Sequence, residues 1–186
     1  MVALAWCAHV QAGYWGSTVD LFTHALEVDE KNAGAHNFLA LGLSNQGRLD
    51  EALAHHRKAL ALSPDSPFAH KHVGMILSEQ GKDDEAVPHL RAALVAHPED
   101  AAVLASLGAS LVQLGRTAEA AAAFLAELRV DPDNLAAHEN LAILLLGQGK
   151  LDQAIEHFAE GARLSPDDAV VRGNLERARA LARERR

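Results

Sequence analysis

The chain has 186 residues, 49% of them hydrophobic but only 4% aromatic, and a formal net charge of −8. That is enough for one ordinary domain or one short repeat array with a buried core, and an acidic surface that repels phosphate backbones argues against nucleic acid as a partner. The lone cysteine, Cys7, excludes an intramolecular disulfide, and no stretch reaches the ~20 apolar residues that a bilayer span needs.

Ala and Leu dominate the apolar set, which favours thin, close-packed helices over a sandwich of β-branched strands. The main signal is self-similarity. Gly47, Gly81, Gly115 and Gly149 stand 34 residues apart, as do Ala52, Ala86, Ala120 and Ala154, and Pro64, Pro98, Pro132 and Pro166. A fixed period of this kind marks a repeat architecture. The frame divides the chain into an incomplete N-terminal hairpin at 1–32, four units at 33–66, 67–100, 101–134 and 135–168, and a tail at 169–186.

In chain order, the 1–32 segment keeps the frame through Gly13, Phe22 and Ala25, with its first helix cut short at Met1. Its apolar start is too short and lacks the basic leader of a signal peptide. Each full unit then reads as helix, tight turn, helix, turn. In 33–66, His36, Leu39, Ala40 and Leu43 recur at helical spacing, as do Leu104, Leu107, Gly108 and Leu111 in 101–134. The Gly at unit position 15 follows the first helix, where the chain must turn left-handed. Acidic residues open the second helix, and the Ala at position 20 permits close approach. Phe124 and Phe158 pack at position 24, with Leu90 and His56 in the same place. Proline at position 32 ends the unit. Pro88, early in a second helix, is expected to bend it. The tail places Val171, Leu175, Ala178 and Ala182 on one stripe and carries six Arg against Glu176 and Glu184. It reads as a capping helix over the last hairpin, its cations suiting the negative end of a helix.

These residues resemble the tetratricopeptide repeat. Leu141, Gly149, Ala154, Phe158 and Pro166 fit its pattern in one unit, and Leu107, Gly108, Gly115, Ala120, Phe124 and Pro132 in another. Departures are His36, His70, Leu104 and His138 where the family has an aromatic, and Glu127 where it has Ala. The resemblance implies an all-α, right-handed superhelix of antiparallel helix pairs.

Eleven histidines raise the question of metal or acid–base work. His36, His70 and His138 share one unit position; His55, His89 and His157 share another. Like positions in neighbouring hairpins lie about 10 Å apart, too far to converge on a zinc ion whose ligands sit at about 2 Å. No phosphate loop, nucleophile elbow or paired-His zinc string occurs. The reading is a non-enzyme with no catalytic residue, cofactor or metal, since a narrow solenoid with short turns offers few loops for a site.

In the family the first helices line a concave groove. Positions not used for hairpin packing give an apolar line of Leu41, Met75, Ala109 and Ile143, flanked by Phe68, Val112 and Leu146, with Asn37, Asn45, Lys71 and Glu139 as polar neighbours. Such a strip points to a protein or peptide partner. The carboxylate clamp of chaperone-adaptor repeats is missing, because Met75 follows Lys71 and Leu41 follows Asn37 where the clamp needs Asn. The Asn ladder of the nucleocytoplasmic O-linked N-acetylglucosamine transferase is represented only by Asn140 and Asn174.

A further resemblance covers Tyr14–Val28, "YWGSTVDLFTHALEV". It is similar to a segment of membrane-embedded glycosyltransferases that joins the last membrane span to a C-terminal tetratricopeptide array. It implies a soluble repeat portion associated with a membrane protein, periplasmic or lumenal, whereas a free-standing scaffold would be cytoplasmic.

Overall fold

The computed structural model describes residues 17–184. The first helix expected for the N-terminal hairpin, with Cys7 and Tyr14, lies outside them. Among the described residues there are ten α-helices and no strand: α1 (Thr18–Val28), α2 (Ala33–Asn45), α3 (Leu49–Leu62), α4 (Pro67–Glu79), α5 (Asp83–Ala96), α6 (Ala101–Gln113), α7 (Thr117–Val130), α8 (Leu135–Gly147), α9 (Leu151–Leu164) and α10 (Ala169–Glu184). Helix α5 runs unbroken through Pro88.

Local chemistry fixes where each helix begins. A short polar side chain precedes every first helix of a pair: Asn32, Ser66, Asp100 and Asn134 accept hydrogen bonds from the amides of Ala35, Ala69, Val103 and Ala137 at 2.9, 3.4, 3.2 and 3.0 Å. Asp168 does the same for α10 through Val171 at 3.3 Å. Each cap satisfies an amide that the helix leaves free, for about 1 kcal/mol. The second helices of the four full pairs, α3, α5, α7 and α9, lack a side-chain cap and place acids in their first turn instead, such as Asp83, Asp84 and Glu85 on α5.

The turn inside each pair is identical. Gly47, Gly81, Gly115 and Gly149 have φ between 70° and 76°, the left-handed region that L side chains avoid. The amide after each glycine reaches back to close the helix end, as Arg48 N–H does to Leu43 O at 3.0 Å and Arg116 N–H to Leu111 O at 2.8 Å.

The pairs α2–α3, α4–α5, α6–α7 and α8–α9 each pack along their length, and each second helix also packs on the next first helix. The result is a right-handed α-solenoid with one continuous core. Ala52, Ala86, Ala120 and Ala154 are fully buried at the crossings. Side chains of complementary size fill the interior: a Cβ on Gly108 would lie 2.5 Å from Phe124 Cε1, and one on Gly74 2.7 Å from Leu90 Cγ. Phe124 and Phe158 are each 2% exposed, a burial that stabilises by roughly 3 kcal/mol per ring. At the C-terminal end α10 packs on α9 and buries Val171, Leu175 and Ala178.

Candidate first-helix groove

The first helices α2, α4, α6 and α8 share a phase, so the residues they do not spend on packing fall in register. Of the apolar positions read from the sequence, Ile143 is 54% exposed, Phe68 38% and Val112 37%. Ala109 is exposed, while Leu41, Met75 and Leu146 are half-buried. Asn45 and Asn140 are exposed; Glu139 and Asn174 are half-buried.

Two of the polar positions are already engaged. Lys71 Nζ lies 2.6 Å from Asp100 Oδ2, in an ion pair that ties α4 to the cap of α6. Burial alone would raise the Asp100 pKa, but the Lys71 ammonium and the Val103 and Ala102 amides hold it below the usual value. Asn37 does not face the groove. It is buried, and its Oδ1 accepts from His56 Nδ1 at 2.9 Å. The reason is its partner: a polar side chain at position 24 of the hairpin needs a polar neighbour across the crossing.

Near the N-terminal end the face carries a row of rings. Phe22 stacks on Phe38 at 5.0 Å between centroids, Phe38 meets Phe68 at 6.2 Å, and Phe68 meets His72 at 4.4 Å. His72 in turn stacks on buried His56 at 5.1 Å. Phe38 remains 47% exposed. Phe38 and His72 occupy the first-helix position at which Asn140 and Asn174 carry the partial Asn ladder. Their aromatic character was the available signal.

The repeat-phased histidines meet within each unit. His36 and His55, His70 and His89, and His138 and His157 bring their Nδ1 atoms to 3.0, 2.8 and 3.0 Å. The first member of each pair also reaches a carbonyl, that of Glu30, Pro64 or Pro132, through Nε2. A carbonyl only accepts, so that Nε2 carries a proton, and across the Nδ1–Nδ1 contact one ring donates and the other accepts. Burial first, and the neighbouring histidine second, hold His55, His89 and His157 below their ordinary pKa. These partners lie 19 residues apart within one unit, a separation that the 34-residue period between like positions does not display. Among the described residues no cluster of three or more His, Cys, Asp or Glu is placed to hold a metal ion.

Farther along, α4, α6, α7 and α8 enclose a depression of about 440 Å³ in the groove. Met75, Ala105 and Ala109 form apolar walls, and Ser106, Asn140, Glu79 and Glu127 supply polar atoms.

With this geometry in place, comparison with known proteins settles the family. The tetratricopeptide repeat profile matches residues 74–134 and 106–169, and a second profile of the same repeat matches 33–63, so that more than half the chain is covered. The chain belongs to the tetratricopeptide repeat family. Among solved structures this tetratricopeptide protein is similar to YrrB, a TPR protein with an unusual peptide-binding site, at 26% identity and TM-score 0.80, over 88% of this chain and 84% of that one. It is likewise similar to MamA AMB-1, at 26% identity and TM-score 0.75, over 85% and 93%. MamA from Desulfovibrio magneticus RS-1, at 20% identity and TM-score 0.73 over 81% and 85%, shares the fold. No curated protein matches. No helix among the described residues is long and apolar enough to cross a membrane.

Proposed function

We propose that this protein is a non-catalytic scaffold that binds a peptide or protein segment along the first-helix groove. The division into hairpins at 33–66, 67–100, 101–134 and 135–168, closed by 169–186, belongs to this reading. The observation that carries it is that each first helix leaves an apolar side chain exposed, Phe38, Phe68, Val112 and Ile143, with Phe38 and Phe68 in ring contact. Exposed apolar patches of this kind mark interaction surfaces. The resemblance to YrrB agrees with it, since that protein has a peptide-binding site.

The test is a crosslinking capture of partners, identified by mass spectrometry, with the wild-type chain and with Met75→Glu and Ile143→Glu. Ile143→Glu places its carboxylate on an exposed surface, whereas Met75→Glu places one at a half-buried position that packs against the core, so helicity is checked for each. Capture of the identified partner should be lost while circular dichroism stays helical. Unchanged capture by both variants would rule out the groove.

The Tyr14–Val28 segment supports a second reading, in which the chain is the soluble array of a membrane glycosyltransferase system and recruits or regulates its substrate. Part of that segment forms α1, capped by Ser17. An upstream reading frame with many membrane spans, and recovery of the protein with membranes, would favour it; a separate start at Met1 would count against it.

A further inference from the structure

Unit position 27 holds a small residue in every hairpin but one: Ala25, Ala59, Ala93 and Gly161 occupy it elsewhere, and Glu127 occupies it on α7. This departure does not end at the surface. Glu127 is 3% exposed. Asn134 Nδ2 donates to its Oε1 at 3.0 Å, and Asn134 cannot turn away because its Oδ1 caps α8 at the Ala137 amide. The second oxygen, Oε2, is buried without a hydrogen-bond partner among the described residues. The carboxyl group therefore lies fixed, half-satisfied, among the residues that line the groove depression between α4, α6, α7 and α8.

An unpaired acceptor at that depth is costly unless something donates to it. Burial, and after it the nearby Asp131, raise the Glu127 pKa above the ordinary value. The lining offers acceptors and no cation: Glu79 shares it, and no Lys, Arg or His does. Ser106 donates its hydroxyl proton to Ala102 O at 2.9 Å, which leaves its oxygen free to accept. Asn140 adds an amide oxygen. Met75, Ala105 and Ala109 would flank the methylene stem of a long side chain whose charged head sits at the bottom.

We infer that this depression is a specificity pocket that takes a lysine or arginine side chain of the bound polypeptide, with Glu127 as its counter-ion. The inference rests on the peptide-binding reading of the groove and adds its chemical preference. It also accounts for the break in the repeat: every other hairpin closes this position with a methyl group or less, and only here is a charge buried beneath the binding face.

The test uses the full chain, Glu127→Gln and Glu127→Ala, against four pools of labelled peptides with random flanks and a fixed central lysine, arginine, norleucine or acetyl-lysine. Glu127→Ala restores the residue that Ala59 and Ala93 already supply, so folding is not at risk. The lysine and arginine pools should bind the wild type best, and both variants should lose that advantage by ~30-fold. In parallel, n-butylammonium should shift the Ala109 and Asn140 amide signals saturably in the wild type and not in Glu127→Gln. Equal binding of all four pools, sensitive to Ile143→Glu but indifferent to Glu127, would overturn the pocket and leave the groove. Failure of every pool together with no response to n-butylammonium would overturn both.

Discussion

Hairpins α2–α3 and α6–α7 share one backbone and differ inside it. Both turn at a left-handed glycine, Gly47 at φ 76° and Gly115 at φ 70°. Both cross at a fully buried alanine, Ala52 and Ala120, and both begin at a side-chain cap, Asn32 and Asp100. Within that frame, α2–α3 carries two polar couples, His36 with His55 and Asn37 with His56. Helices α6 and α7 put Leu104 with Ala123, and Ala105 with Phe124, in the same places. The turn and crossing residues thus determine the fold, while the interior couples are exchangeable between hydrogen-bonded rings and apolar packing. What changes between the two hairpins is the response to protons and to added volume.

Acid should separate them most. Burial, followed by His72 and His55, lowers the His56 pKa from 6.5 to about 4. Above pH 6.5 the ring is neutral in both states and its contribution is intact. As pH falls from 6.5 towards 4, the unfolded chain takes up a proton that the folded ring refuses, and stability drops by about 3 kcal/mol. Hydrogen exchange at pH 4.5 should show α2 and α3 opening before α6 and α7. Asn37→Ala with His56→Phe, a ring that Phe158 already accommodates beside Ala142, should remove most of that loss; an unchanged pH profile in urea melts would show that His56 is not the sensor.

Volume should act the other way. Gly108→Ala drives a methyl group into the Phe124 ring and should cost about 2 kcal/mol in urea unfolding. The corresponding position of α2 already holds Ala40, fully buried against the smaller His56; Ala40→Gly should cost about 1 kcal/mol, through helix propensity. Equal costs would mean that the two crossings are not packed as described.

The smallest effect has the opposite sign. A carboxyl group whose folded pKa is raised destabilises the native state at neutral pH and ceases to do so as pH falls through its titration. Glu127→Ala should therefore raise stability by about 1 kcal/mol at pH 7, and the gain should shrink in acid. A loss of stability at pH 7 would show that the Asn134 bond outweighs the buried charge.

The architecture was legible because it rests on residues whose conformational demands are local. The glycines mark left-handed turns, the alanines mark crossings, and the helical spacing of Leu104, Leu107 and Leu111 marks a buried face; each can be read without knowing what lies opposite. The groove was legible only in part. Phe68, Val112 and Ile143 are exposed, but Asn37 turns inward because His56, 19 residues later, requires an acceptor. The histidine pairs and the caps at Asn32, Ser66, Asp100 and Asn134 lay in the same periodic pattern, and comparing residues one period apart hid contacts made within a period. Glu127 was visible as a departure from the repeat. That it is buried beneath the groove depends on how four helices meet, which no single-helix pattern encodes.

The most direct test of the account is amide chemical-shift mapping of the isotopically labelled chain with a peptide selected for tight binding. Perturbations should run along α2, α4, α6 and α8, including Leu41, Met75, Ala109 and Ile143, and leave the outer faces of α3, α5, α7 and α9 unmoved. Shifts confined to those second helices, with the first-helix signals unchanged, would contradict it.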